Sequence, residues 1–165
     1  MSWLQSYVNR IFRSISCKLE VTTYDVSDIA IECDELWSYV NSKENPVYIW
    51  LGIARKTGQI VGFSLGDRTR KSANFWKSLP EELRSNGTFY PDLWESYVGV
   101  IPSSCHYPSN KKSGQTTKIE RFNHTLRHRC SRLVRKNLAF SKNFFNHEGA
   151  ILYFLHHFNE LKLSN

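Results

Sequence analysis

The sequence lacks closely spaced cysteines and long apolar runs. Its 4 cysteines, at positions 17, 33, 105 and 130, form no C-x-x-C pair, so neither a zinc ribbon nor a disulfide framework is indicated. No stretch of about 18 apolar residues is present to span a bilayer. The opening segment MSWLQSYVNRIFRSIS is too interrupted by polar residues to be the apolar core of a secretion signal. We therefore expect a protein of the reducing cytoplasm with no membrane partner.

Acidic residues are scarce relative to basic ones. The chain has 15 Asp+Glu against 22 Lys+Arg, a formal net charge of +7 and a pI of about 9.3. Such a balance favours a polyanionic partner such as nucleic acid over an acidic small molecule. With 165 residues, 41% of them apolar and 14% aromatic, the chain is long enough to bury one sizeable core. We expect one globular domain.

The first part of the chain has the pattern of a short amphipathic helix. Its apolar residues recur at spacings of three and four, which places them on one helical face. They are Trp3, Leu4, Tyr7, Val8, Ile11 and Ile15.

Three β-prone segments follow. IAIECDELWSYV (29–40) and PVYIWLGIAR (46–55) are predicted strands, the second a continuous apolar run typical of a central strand. KTGQ (56–59) supplies a glycine-containing turn before a third strand, IVGFSLG (60–66). The segment 29–66 is therefore predicted to be an antiparallel meander, with Trp37 and Trp50 in its core.

The rest of the chain changes to a mostly helical period. A helix is predicted over 69–85, with Trp76 in the core and with Pro80 bending or ending the helix. A short strand and a helix start at Pro91-Asp92 are predicted within 87–102. Helices are predicted again from about 117 to 136 and from about 141 to 161. Antiparallel strands followed by alternating helices and strands indicate an α/β mixed sheet flanked by helices.

One acid, Glu120, stands in the basic segment TTKIERFNHTLRHRCSRLVRKN (116–137). Helical spacing places an apolar stripe on one face and puts Glu120 on a neighbouring stripe with Asn123 and Arg127. The simpler interpretation is that Glu120 compensates the helix dipole in the first turn, a contribution of about 0.3–1 kcal/mol. The alternative is that Glu120 binds a divalent metal while the cations contact phosphates. The apolar stripe consists of Ile119, Phe122, Leu126, Cys130 and Leu133.

Two further acids are candidates for the same site. Asp34 lies within the first predicted strand, where burying an acid is costly unless a cation meets it. Asp92 follows the later strand. Acids on a central strand, at a strand end and on a late helix suit a two-metal phosphoryl-transfer site, because Mg²⁺ prefers a few carboxylates and keeps positions open for water and phosphate.

Several segments carry a family resemblance. In order, they are DELWSYV, YIWLGIARKTGQIVGFSLGDRT, DLWESYVGVIP, KKSGQTTKIERFNHTLRHRCSRLVRKNLAFSK and NHEGAILYFLHHFN. Together they resemble the catalytic half of bacterial transposases of the insertion-sequence-one (InsB-like) family. The resemblance covers about residues 30 to 159. Two departures from the family pattern are Pro91, where a threonine is common, and Asn110, where a glycine is usual.

The resemblance implies an RNase H-like catalytic domain over 26–165, with residues 1–25 as an N-terminal remnant or linker. It implies a DDE triad in which Asp34, Asp92 and Glu120 are catalytic and bind two Mg²⁺ or Mn²⁺ ions. The implied activity is DNA transposition, a DNA recombination in which the enzyme cuts DNA at the ends of an insertion sequence and joins the freed 3′-OH to a target. Expected DNA-binding residues are Lys111, Lys112, Lys118, Arg121, Asn123, Arg127, Arg132, Arg135 and Lys136.

The resemblance also implies partners. These are DNA at the element ends and at the target, further copies of the chain in a transposition complex, and an upstream zinc-finger and helix-turn-helix segment joined as a fusion. We expect a cytoplasmic protein associated with the nucleoid. Two alternatives remain at this point: an RNase H-like nuclease that only hydrolyses, and an inactive DNA-binding remnant of a transposase of this mobile element.

Overall fold

The computed structural model describes nine helices and strands, and it covers residues 2–21, 29–67, 72–91, 97–98, 100–108, 114–134 and 138–164. Within these ranges the helices are α1 (Trp3–Ser14), α2 (Ser72–Ser78), α3 (Glu81–Asn86), α4 (Thr117–Arg129) and α5 (Phe144–Leu163). The strands are β1 (Ala30–Tyr39), β2 (Pro46–Ala54), β3 (Ile60–Gly66) and β4 (Thr88–Pro91).

The four strands form one mixed sheet in the order β3-β2-β1-β4. β1 pairs with β2 and β2 with β3 in antiparallel register, so the predicted meander is confirmed. The turn before β3 contains Gly58 at φ +71°, a backbone conformation that glycine adopts without strain. β4 lies parallel to β1 and pairs only with residues 30–33 of it. The remaining length of β1 therefore extends past the end of β4.

Each face of the sheet carries its own hydrophobic core. One core joins residues of β2 and β3 to α4 and α5, through Ile119, Leu126 and Ile151 among others. The other joins the opposite face to α2 and α3 through Phe75 and Leu83. β2 is buried on both faces along most of its length, as expected for a central strand flanked by helices. The predicted α/β fold class is confirmed.

The predicted amphipathic helix at the beginning of the chain is α1, which packs on α5. Gly149 of α5 makes this packing close, because a Cβ atom on that residue would lie 2.4 Å from the Phe12 ring. The proposed division at residue 25 remains a prediction. None of the helices that the structure describes is long and apolar enough to cross a membrane.

Two predictions concern helix ends, one at Pro80 and one for the helix that carries Glu120. Pro80 separates α2 from α3, as predicted. The prediction that one helix runs from 117 to 136 is wrong, because α4 ends at Arg129. Cys130 is extended (φ −81°, ψ 105°), and the next residues form a turn in which the Leu133 N–H donates to the Cys130 carbonyl at 2.9 Å.

The three tryptophans predicted to lie in the core differ in burial. Trp50 is fully buried and Trp76 is half-buried. The prediction for Trp37 is wrong, since 40% of its surface is exposed. Trp37 lies on the part of β1 beyond the end of β4, where the parallel strand no longer reaches.

A buried histidine connects α5 to β1. His147 has no exposed surface, and its two ring nitrogens each lie 3.0 Å from a serine hydroxyl, Nε2 from Ser38 and Nδ1 from Ser141. Burial, and secondarily the positive charge of Arg132, lowers the pKa of His147 to about 4. The neutral imidazole is therefore part of the folded structure.

Lowering the pH from 7.5 to 5 is expected to reduce the free energy of unfolding by about 2 kcal/mol through His147 alone. The pKa of histidine is about 6.5 in an unfolded chain, against about 4 in the fold. The stabilising contribution is therefore complete above the unfolded pKa and is lost as the pH falls toward the folded one. Urea unfolding of the parent and of His147→Asn at a series of pH values measures the difference.

The difference between the parent and His147→Asn removes the contribution of the neighbouring Glu148. Burial raises the pKa of Glu148, so its effect on stability has the opposite sign. His128→Asn, a change at an exposed position of α4, is the matched control and should keep the parent's pH dependence. A folded-state NMR titration of His147 with a midpoint near the unfolded pKa would contradict the expectation.

Candidate active site

Strand β1 and helix α4 run side by side and contact each other at successive levels. Glu32 of β1 contacts the first turn of α4, Asp34 contacts Asn123, and Leu36 lines a pocket with Arg127. A strand rises about 3.3 Å per residue and a helix about 1.5 Å. Two residues of β1 therefore match about four and a half residues of α4, and the two elements stay aligned along the site.

Glu32 fixes the beginning of α4 against the sheet. The residue is 2% exposed, and its carboxylate accepts hydrogen bonds from the backbone N–H groups of Lys118 at 2.8 Å and Ile119 at 3.0 Å. Such groups at a helix N-terminus have no partner within the helix, and the helix dipole favours a negative charge there. Glu32 is thus a capping carboxylate supplied by the neighbouring strand.

Arg55 compensates the charge of this buried carboxylate. Its Nε donates to Glu32 at 3.0 Å, and its Nη2 donates to the carbonyl of Gln115 at 2.8 Å. The guanidinium group also lies over the ring of Tyr90, 4.4 Å from its centroid. Arg55 therefore joins β1, β4 and the segment that leads into α4. The sequence prediction missed this network, although Glu32 stands two residues before Asp34 and therefore lies on the same face of β1.

Asp34 is held by a side-chain amide from α4. Its Oδ2 accepts a hydrogen bond from Asn123 Nδ2 at 2.7 Å, and its Oδ1 accepts the N–H of Glu35 at 2.9 Å. The sequence predicted Asn123 as a DNA-binding residue, and in the structure its side-chain amide contacts Asp34. Its other amide atom, Oδ1, is buried and accepts no hydrogen bond from any residue that the structure describes.

Glu120 lies in the first turn of α4, three residues before Asn123, so the two residues are neighbours on the helix surface. The side chain is exposed, and its Oε1 accepts a hydrogen bond from the Thr116 hydroxyl at 2.9 Å. This position is compatible with compensation of the helix dipole and with a carboxylate that faces a ligand beside Asp34.

Asp92 lies outside the described residues. Pro91, which precedes it in the chain, pairs with Cys33, the residue before Asp34 on the adjacent strand. Among the described residues no group of three or more His, Cys, Asp or Glu side chains is placed to hold a metal ion. Convergence of the three predicted acids therefore stays a prediction.

The predicted DNA-binding residues fall into three groups. Lys118, Arg121 and Arg127 lie on α4 with Asn123. Arg132 does not continue this helix, contrary to the predicted helix length. It lies in the turn that follows, and its Nη1 donates to the carbonyl of Ala139 at 3.0 Å. The remaining four, Lys111, Lys112, Arg135 and Lys136, lie outside the described residues.

The sheet order, the parallel β4 and the helix that runs along β1 with an acid in its first turn define an RNase H-like fold. A solved chain of the simian T-cell lymphotropic virus intasome, in complex with PP2A regulatory subunit B56 gamma, is similar to this structure with a TM-score of 0.56. The match has 13% sequence identity and covers 88% of this chain, which spans about half (54%) of the length of that chain. The likeness shows the fold.

The IS1 transposase family matches residues 28–159, and the chain belongs to this family. It is similar to the insertion element iso-IS1n protein InsB of Shigella dysenteriae, with 34% identity over 73% of this chain and 88% of that protein. It is also similar to the insertion element IS1 4 protein InsB of Escherichia coli (strain K12), with 30% identity over 78% of this chain and 76% of that protein. The resemblance found in the sequence is confirmed.

Proposed function

We propose that this chain carries the catalytic domain of a DDE transposase, which cuts DNA at the ends of an insertion sequence and joins the freed 3′-OH to target DNA. The observation that supports the proposal most directly is the link between Asp34 and Asn123, at 2.7 Å, one helical turn from Glu120. This link supports the proposal that β1 and α4 present Asp34 and Glu120 on the same side of the fold. Asp92, which follows the strand next to β1, is the proposed third acid.

The side chains present fit divalent metal ions. Asp34 and Glu120 supply carboxylate oxygens, and Asn123 adds a buried amide oxygen without a partner among the described residues. Mg²⁺ and Mn²⁺ prefer such oxygen ligands. Asp34, Asp92 and Glu120 would hold two such ions, which would supply activation of a water or 3′-OH and stabilisation of the leaving oxygen.

The remaining residues would position these groups and the DNA. Asn123 holds the Asp34 carboxylate in one orientation, as partners of metal ligands commonly do. Glu32 and Arg55 hold the first turn of α4 and hence Glu120 against the sheet. The cations of α4 would contact DNA phosphates, which position a protein on DNA without specifying sequence.

The proposed partners follow from this activity. They are DNA at the element ends and at the target, other copies of the chain in a transposition complex, and an upstream zinc-finger and helix-turn-helix segment, as a fusion, that recognises the ends. The protein would act at the nucleoid.

Incubation of the chain with pre-cut element ends, a plasmid target and Mn²⁺ tests the proposal. Covalent joining of the ends to the plasmid is the expected result. Nicked or cut DNA without a joined product would identify a nuclease that only hydrolyses. DNA binding without any metal-dependent chemistry would identify a DNA-binding remnant. Either of these two results would refute the proposal.

A further inference from the structure

A pocket of about 340 Å³ lies between α4, the turn that joins β2 to β3, and the end of α5. Its apolar lining includes Phe122 of α4 and Phe158 of α5, whose rings contact each other at a centroid distance of 4.7 Å. Four cations stand around this pocket, and none of the described residues that line it is acidic. The cations are Lys56, Lys118, Arg121 and Lys162.

These four cations come from three separate elements. Lys56 belongs to the turn after β2, Lys118 and Arg121 to the first half of α4, and Lys162 to the last turn of α5. All four are exposed, and none of them forms a salt bridge with another residue that the structure describes. Like charges gathered around one opening raise the local positive potential. The pocket is therefore suited to bind an anion.

Contacts within the fold hold two of the lysines at the pocket. Lys118 Nζ donates to the carbonyl of Arg55, which leaves two further N–H donors on the ammonium group. Lys162 Nζ lies 5.5 Å from the centroid of the Phe158 ring. Its stem passes Gly58, where an added Cβ atom would lie 3.8 Å from Lys162 Cε. Because these side chains are already partly ordered, an anion that binds them has less side-chain entropy to overcome.

The pocket and the candidate acids lie on opposite flanks of α4. Lys118 stands two residues before Glu120, and Arg121 stands two residues before Asn123. Two residues correspond to about 200° around a helix axis, and a helix with its side chains is about 10–12 Å wide. Phosphates of one DNA strand are about 3.4 Å apart along the duplex axis. A duplex that lies across the exposed side of α4, with one phosphate at the acids, would therefore have another phosphate at the pocket about three nucleotides away.

We propose that this pocket binds the phosphate backbone of DNA at a second position, on the flank of α4 opposite the candidate acids. Lys56 and Lys162 contact the backbone together with Lys118 and Arg121. Neither Lys56 nor Lys162 is among the DNA-binding residues predicted from sequence, since both lie on other elements. The assignment rests on the proposed function, because it takes the anion to be DNA. It adds a contact that does not depend on metal ions at the acids.

The test measures binding of a labelled DNA duplex by fluorescence anisotropy at a series of KCl concentrations without divalent metal. The double variant Lys56→Gln, Lys162→Gln removes two cations that have no part in the proposed chemistry. The slope of log K against log [KCl] is expected to become shallower by about 0.9 for each lost phosphate contact, and so by about 1.8 in the double variant. Phosphate contacts carry no sequence information, so the loss should be the same for element ends and for random DNA.

The double variant Lys18→Gln, Lys77→Gln is the matched control. These two exposed lysines line a different pocket, whose lining includes the acids Glu81 and Glu82. The control removes the same charge and should keep the parent's slope.

An unchanged slope in the Lys56→Gln, Lys162→Gln variant, an equal loss in the control, or a loss confined to element ends would overturn the proposed pocket. Displacement of the duplex by micromolar pyrophosphate at constant ionic strength would also overturn it, because the pocket would then be a site for a free polyphosphate. Joining of DNA by a parent whose slope does not depend on Lys56 and Lys162 would refute the pocket alone. A slope that depends on them in a chain that cannot join DNA would refute the proposed function alone.

Discussion

Replacing Asp34 with asparagine is expected to lower metal-dependent cutting and joining of DNA by at least about a hundredfold. The change keeps the shape of the side chain and an oxygen that can accept from Asn123, but it removes the charge that a hard divalent cation requires. Glu120→Gln should have the same effect for the same reason. Gel assays of strand cutting and joining with Mn²⁺ measure both variants.

DNA binding separates loss of chemistry from loss of structure in these variants. Removing one negative charge reduces repulsion with phosphate while Arg121 and Arg127 remain on α4, so binding should hold or tighten. Glu160→Gln, an exposed glutamate on α5, is the matched control and should react like the parent. If Glu120 only compensates the helix dipole, its glutamine variant will lose at most about 1 kcal/mol of stability and retain activity, which would remove Glu120 from the triad.

Glu32→Ala is expected to lower the free energy of unfolding by about 3–5 kcal/mol. The substitution leaves the Arg55 guanidinium without its buried acid and two N–H groups of α4 without their acceptor. Such losses are larger than the average net value of a hydrogen bond, because the remaining partners stay desolvated. Urea unfolding measures the change, and faster amide exchange at Lys118 and Ile119 would locate it.

Glu44→Ala, at an exposed position of the turn between β1 and β2, is the control for this substitution and should stay within about 0.5 kcal/mol of the parent. The double variant Glu32→Ala, Arg55→Met should lose less free energy of unfolding than the two single variants combined. The second change removes a cation that has already lost its buried partner. Equal stability of the Glu32→Ala and Glu44→Ala variants would show that the network does not hold α4.

The three antiparallel strands were predictable from sequence because the patterns that indicate them are local. Apolar runs of strand length and a turn with Gly58 define the three antiparallel strands within a residue or two. The end of α4 was not predictable in this way. Cys130 and Leu133 continue the spacing of a buried helical stripe, but in the structure a turn brings them to the core that α4 also contacts. Side-chain spacing does not distinguish a longer helix from such a turn.

Trp37 shows a second limit. Its burial depends on how far the neighbouring strand extends, and β4 ends at the level of Cys33. The length of β4 is set more than 50 residues later in the chain, so the local pattern around Trp37 carries no information about it.

The sequence predicted the acids of the candidate site, which stay a prediction, but it did not predict the contacts around them. Asp34 and Glu120 stand out as acids in apolar or basic surroundings, and the family resemblance joins them. The contact of Asn123 with Asp34 spans 89 residues and that of Ile119 with Glu32 spans 87. Both depend on how α4 is aligned along β1, which follows from packing of the core between them.

Because β1 is aligned with α4, this protein is more sensitive to changes in the length of these two elements than to changes in their composition. Deleting one residue within α4 after Ile119 would rotate every later side chain by about 100°, so Asn123 and Arg127 would turn away from the strand together. A deletion in β1 between Glu32 and Trp37 would exchange the two faces of the strand. Frame-preserving indels in these two elements should therefore be purged from working copies of the element, while the exposed turn at 41–46 tolerates them.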